Sequence, residues 1–266
     1  MPELPEVRTV KEQLKMHILN KTITGVEIHY KNITSDNLLS IINHQVADVN
    51  TYGKFIVINL SRELNLIVHL RMEGKFFIKE ISAPKTKHEH VIFTLDNGST
   101  LRYDDTRKFG KMYVRTTEEL FTKEPLLSLA KEPFDISKNA FYDSIKNRKA
   151  PIKSVLLDQR TISGIGNIYA DEILFLSKIH PTRMSSMVTK DESAIIIDMS
   201  IRTLNKAISL GGSTIHSYNS FGIDGMFQNE LLVHTKMGKP CPVCGAPITK
   251  IKVGGRGTYV CEFCQK

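Results

Sequence analysis

Four cysteines constrain this chain more than any other feature: Cys241-x2-Cys244 and Cys261-x2-Cys264, with residues 245–260 between the pairs. A stretch this short cannot bury a core of its own and needs a staple. Two CxxC knuckles at this spacing are the pattern of a tetrahedral thiolate zinc site. Two disulfides are the other use of the same side chains, and they belong to oxidising compartments. The N-terminus carries acids and a proline rather than a basic region followed by an apolar core. No secretory signal is therefore expected, and the expected address is cytoplasmic, which favours zinc. With all four coordination positions filled by protein, one Zn2+ there is structural and leaves no open position for catalysis. The ribbon between the knuckles carries Lys250, Lys252 and Arg256.

The opposite end, Met1-Pro2-Glu3-Leu4-Pro5-Glu6, holds a different chemistry. If Met1 is removed, Pro2 presents a secondary amine with a pKa near the α-amino value of about 8. Such an amine is a nucleophile near neutral pH, and its attack on a sugar carbon yields an iminium that drives elimination. Glu3, next to it, is a candidate general acid or base. The alternative is that Pro2 and Pro5 only keep an N-terminus extended, since proline fixes its own φ and biases the residue before it.

The 266 residues suffice for two domains or one domain with an appended module. No segment reaches the roughly 20 apolar residues of a membrane span. The 36 Lys and Arg against 28 Asp and Glu give a net charge of +8, which favours an acidic partner such as nucleic acid.

Val7, Val10, Leu14 and Ile18 recur at helical spacing and predict an amphipathic helix over 6–19. From Thr22 to about Arg115 the period becomes two, as in Phe55-Ile56-Val57-Ile58, and Asp96-Asn97-Gly98-Ser99 signals a tight hairpin. Several short strands behind one helix suggest a β-sandwich with helical cover. Residues 116–135, with Pro125 and Pro133, read as a linker. Helical periodicity follows at Phe141, Ile145, Ile152, Val155 and Leu156. Lys153–Gln159 then leads through Ser163-Gly164-Ile165-Gly166 into a second helix beginning at Asn167. Glycines before a helix leave backbone N–H groups open to an anion, although a generic helical hairpin has the same spacing. A further helix is expected from about Ser193 to Ser209. After it, 215–229 is rich in Gly, Ser and Asn without periodicity, as a mobile loop would be.

Five stretches, taken in order, resemble the formamidopyrimidine-DNA glycosylases, base-excision enzymes that remove oxidised purines: Met1–Val7, His69–Gly74, Arg102–Gly110, Gly164–Glu172 and the cysteine ribbon. Leu4 suits this branch better than the related endonuclease VIII branch, which usually has Gly there. The resemblance implies roles. Pro2 would be the Schiff-base nucleophile, and Glu3 the proton donor. Lys54, after Gly53, would donate a proton and contact the phosphates of the damaged nucleotide, though a strand-edge lysine is otherwise simply solvated. Met72 would plug the space left by a flipped nucleotide, Phe109 would wedge between base pairs, and Arg107 would face the orphaned base. Lys153 and Asn167 would bind DNA. Arg256 would grip a phosphate and assist δ-elimination, and residues 215–229 would cap the everted base. Thr106 and Lys108 depart from the proline and arginine common in the family.

The expected fold is α+β: an N-terminal β-sandwich domain with a helix (1–115), a linker (116–135), a helix-two-turn-helix domain with a lesion-capping loop (136–232) and a four-cysteine zinc ribbon (233–266). The expected activity is removal of oxidised purines, 8-oxoguanine and formamidopyrimidines, from double-stranded DNA, followed by β,δ-elimination at the abasic site. The expected protein is monomeric, independent of membranes and associated with a bacterial nucleoid. Two rivals are an endonuclease VIII-like enzyme acting on oxidised pyrimidines and a non-catalytic zinc-ribbon DNA-binding protein.

Overall fold

The computed structural model describes residues 1–34, 37–214, 220–222 and 224–266. They divide into two compact units, Met1–Leu127 with Gly211–Gly225, and Ser128–Leu210 with Met226–Lys266.

The first unit begins with helix α1 (Leu4–Ile18), on which Val7, Val10, Leu14 and Ile18 are all buried, as their spacing predicts. Its start is closed by side chains. Glu6 reaches back to accept the Glu3 N–H at 2.8 Å, one half of a capping box, and Pro5 in the first turn has no N–H to leave unsatisfied. Eight strands follow: β1 (Thr22–Ile28), β2 (His44–Tyr52), β3 (Phe55–Leu60), β4 (Leu64–His69), β5 (Lys75–Glu80), β6 (Glu89–Leu95), β7 (Ser99–Asp104) and β8 (Lys111–Thr116).

Among the described residues these strands form one antiparallel sheet in the order β5-β7-β6-β1-β2-β3-β4-β8. Between β1 and β2 the pairing is only Thr22↔Gln45 and Ile23↔His44, so the sheet folds there into two halves, a β-sandwich. Its core joins α1 to both halves through Val46, Ile56, Ile58, Phe93, Leu101 and Tyr103. At the β6–β7 hairpin only Gly98 takes positive φ, +79°, while Asn97 accepts hydrogen bonds from the Ser99 N–H and hydroxyl.

Helices of the second unit are α2 (Lys138–Ile145), α3 (Ile152–Leu157), α4 (Asn167–Leu176) and α5 (Lys190–Ser209). Helix α5 starts earlier than its apolar period suggested. Thr189 and Glu192 cap each other's backbone N–H groups at 3.2 and 2.8 Å, a Thr-x-x-Glu box readable in the sequence. The unit ends in the hairpin β9 (Thr249–Val253) and β10 (Arg256–Val260), joined by Gly254 and Gly255 at φ +54° and +78°. Both turn residues need positive φ, and glycine takes it at no steric cost. No helix among the described residues is long and apolar enough to cross a membrane.

Of the expected capping loop, 215–219 and 223 lie outside the described residues. At its far end Phe227–Glu230 forms a 3-10 turn with Phe227 buried, 5.4 Å from the Tyr169 ring.

Candidate active site

Pro2 and Glu3 are buried at the head of α1, Glu3 to 2% exposure. Glu6 holds Glu3 from the next turn. Besides the Glu3 N–H, its carboxylate accepts the N–H and hydroxyl of Ser213 at 2.7 and 3.2 Å. The chain passes so close here that a Cβ on Gly212 would lie 2.7 Å from Glu6 Oε1, at a φ of +78°. Ser220 and Phe221 are tied to the β5 edge, where Phe76 donates to the Ser220 hydroxyl and accepts from the Phe221 N–H, both at 3.0 Å. No sequence signal joined Glu6 to Ser213, because the pair is 207 residues apart.

Lys54 occupies the β2–β3 turn with Gly53 at φ +56°, and is buried to 4% exposure rather than solvated at a strand edge. Its charge acts on His69, whose pKa falls to about 3 through burial first and then through Arg71 and Lys54. The neutral His69 accepts the Arg71 N–H through Nδ1 at 2.9 Å, which shapes the loop carrying the half-buried Met72.

The second loop is built on Asp105, fully buried and not anticipated from the sequence. Its two oxygens accept the N–H groups of Arg107 (3.0 Å) and Gly110 (2.8 Å), bracketing the residues between, and Lys108 turns the chain at φ +59°. Arg107 and Phe109 project outward together. Phe109 is 50% exposed and the Arg107 guanidinium sits 4.8 Å over its ring. The two loops close on one hydroxyl: a Cβ on Gly74 or Gly110 would come within 2.1 or 1.7 Å of Tyr103 Oη. Gly110→Ala is therefore expected to destabilise the first unit by about 1–3 kcal/mol, the usual cost of overpacking. Urea unfolding measures it, and an unchanged midpoint would show that the loop does not lie against Tyr103.

In the second unit the turn between α3 and α4 is held from within. Gln159 accepts the Gly164 N–H at 2.9 Å and donates to the carbonyls of Leu157 and Ile165. Asn167, the first residue of α4, donates an amide hydrogen to the Gly257 carbonyl at 3.0 Å. Arg256 is exposed where the β9–β10 hairpin turns. Lys153 differs from expectation. It is wholly buried, with Nζ 2.7 Å from Asp171 and from the Thr258 hydroxyl, so its ammonium is committed to the protein and does not reach the surface.

The four cysteine sulfurs lie within 4.8 Å of one another, with Cys241–Cys264 at 3.8 Å and Cys244–Cys261 at 3.5 Å. Tetrahedral ligands about 2.3 Å from a zinc ion stand roughly 3.8 Å apart, so this donor set fits zinc. Burial, and then hydrogen bonding to its three neighbours, pushes the Cys264 thiol up to about 12; a dication is what ionises such a cluster.

Three family descriptions cover the chain in order: the formamidopyrimidine-DNA glycosylase N-terminal domain matches 1–112, the H2TH domain of the same enzymes 124–219, and the zinc finger found in FPG and IleRS 238–266. The chain belongs to the formamidopyrimidine-DNA glycosylase family. A curated formamidopyrimidine-DNA glycosylase of Oceanobacillus iheyensis is 44% identical over all of this chain and 98% of its own length. A Lactococcus lactis FPG variant bound to Fapy-dG-containing DNA superposes with a TM-score of 0.95 at 35% identity, each chain covered completely. Another complex of the L. lactis protein, with abasic-site DNA, gives 0.94 at 36% identity over 99% of each chain. Membership in this family makes the cysteine cluster a zinc finger.

Proposed function

We propose that Pro2 and Glu3 carry the chemistry of this chain, a base-excision DNA glycosylase with abasic-site lyase activity that acts on oxidised purines in duplex DNA. The damaged nucleotide is turned out of the stack, because its glycosidic carbon cannot be reached within the helix. The Pro2 nitrogen attacks C1′ and the base departs with the glycosidic electron pair. Glu3 supplies the proton at the sugar as the ring opens to an iminium, which acidifies the neighbouring carbon for β- and then δ-elimination. The observation that carries this reading is the pinning of the N-terminus: the Glu3 N–H and Ser213 are held by one buried carboxylate, that of Glu6. A group aimed this tightly suits a reaction that depends on positioning.

Lys54 contacts the phosphates of the damaged nucleotide and donates a proton. Met72 and Phe109 fill and wedge the vacated stack. Asn167 and Arg256 grip phosphates, and Arg256 assists δ-elimination. One zinc ion, held by Cys241, Cys244, Cys261 and Cys264, folds the ribbon and takes no part in chemistry. The protein acts as a monomer in the cytoplasm, at the nucleoid of a bacterium, and needs no membrane. The everted base is capped by residues 215–229. Borohydride trapping on duplexes carrying either an oxidised guanine or an oxidised pyrimidine tests the substrate class. A stronger adduct on the pyrimidine duplex would point to the endonuclease VIII-like reading, and no adduct on either to a binding protein.

Arg107 is assigned to the orphaned base, where a correct hydrogen-bonding pattern is worth about 1–3 kcal/mol of discrimination. Arg107→Ala is expected to reduce the preference for cytosine over adenine opposite the lesion more than it reduces overall affinity. Cleavage of four duplexes differing only in that base, at one salt concentration, is the measurement. An equal loss on all four would make Arg107 a phosphate contact instead.

A further inference from the structure

We infer that Lys153 and Asp171 are positioning residues for Arg256: their buried ion pair seats the tip of the zinc ribbon on the helical hairpin, so that Arg256 and Asn167 meet the DNA backbone as one unit. The inference rests on the reading of Arg256 and Asn167 as phosphate contacts. Lys153 and Asp171 are both fully buried and 2.7 Å apart. The three hydrogens of the ammonium have three acceptors, Asp171 Oδ1, Thr258 Oγ1 at 2.7 Å and the Gly257 carbonyl at 3.3 Å. Two of those acceptors belong to the residues immediately after Arg256.

The Gly257 carbonyl is approached from a second side by Asn167 Nδ2 at 3.0 Å. One peptide group of β10 is thereby clamped between α3 and the first residue of α4. Asp171 extends the clamp: its other oxygen lies 2.7 Å from His234 Nδ1 and accepts the Tyr259 N–H at 3.3 Å. Glu172, the next residue, accepts the N–H groups of Leu232, Val233 and His234 at 2.8, 3.0 and 2.8 Å, fixing the segment that leads into the ribbon. On the far side of the tip, a Cβ on Gly254 would come 2.6 Å from the Ser154 hydroxyl. Consecutive residues of α3 thus seat the two sides of the turn that carries Arg256.

A purely stabilising role does not account for this arrangement. A buried ion pair gives little net stability over an apolar pair of the same shape, because removing both charges from water offsets their attraction. What it does provide is one geometry, since a fully bonded ammonium tolerates little displacement of its acceptors.

The test is a double-mutant cycle between Lys153→Met and Arg256→Ala, read as the salt dependence of binding to an abasic-site-analogue duplex by full-length, zinc-loaded protein. Arg256→Ala alone is expected to flatten the slope of log affinity against log salt by roughly one unit. Lys153→Met is expected to flatten it by a similar amount although its side chain has no exposed surface, and the double variant to fall no further. Where Lys153→Met fails to fold, as judged by circular dichroism, Lys153→Met with Asp171→Asn takes its place and removes the unpaired charge. If the slope drops by a further unit when Arg256→Ala is added to the Lys153 background, the two act independently and the inference is wrong. A wild-type slope in Arg256→Ala alone would overturn the phosphate reading, and the inference with it.

Discussion

A chain whose N-terminus is blocked by an uncleaved tag is expected to give no borohydride-trapped adduct with abasic-site DNA, while its affinity for the same duplex stays within a few fold. Blocking turns the Pro2 nitrogen into an amide, whose lone pair is delocalised into the carbonyl and unavailable for attack. The loss should be complete because the other candidate amine is a poor substitute. Lys54 is only 4% exposed and held in a two-residue turn. Binding survives in this picture because Met72, Arg107, Phe109, Asn167 and Arg256 are all elsewhere in the chain. Met1 has the same blocking effect, so mass spectrometry of the untagged protein should show its removal in the trapped fraction. Undiminished trapping by the blocked protein would remove Pro2 from the mechanism.

The second large effect is expected from Cys244→Ser. The ribbon's apolar cluster is small, Val233, Cys241, Ile248 and Cys261 beside Phe175, with Leu232 and Tyr259 at its edge. Two of the five buried members are the proposed ligands themselves. A module of this kind owes its folding to the metal, whose apparent binding energy in comparable fingers is about 10–16 kcal/mol. Without it Arg256 loses its scaffold, and duplex binding is expected to fall to the nonspecific level. The sandwich core, built from Val46, Ile56, Phe93 and their neighbours, contains no residue of the ribbon and should keep its cooperative unfolding transition. Elemental analysis, limited proteolysis and filter binding on the same preparation decide the matter. Zinc-free protein that binds abasic-site duplex normally would refute the role given to the ribbon.

Where local rules decide the outcome, the sequence was readable. The stripe on α1, the hairpin turn at Asn97-Gly98 and the cysteine knuckles each depend on residues within one or two turns of the chain, and each forms where periodicity or spacing placed it. Thr189 to Glu192 was equally local and equally legible, yet the apolar period drew the start of α5 to Ser193.

Lys153 illustrates the other case. The family resemblance pointed it at DNA; its actual partners, Asp171 and Thr258, are 18 and 105 residues away, and nothing in a linear reading joins them. The role of Asp105 is hidden in the sequence for a different reason. Its work is done with backbone N–H groups, which leave no compositional trace.

The return of Gly211–Gly225 to the first unit bears on how this enzyme can change over time. The sandwich is not a cassette. A recombination event that exchanged residues 1–127 for those of a relative would separate Glu6 from the Ser213 it holds and the β5 edge from Ser220 and Phe221. The head of α1, the β5 edge and the strip 211–225 therefore have to be inherited together, although the strip sits far along the chain between two stretches of the other unit.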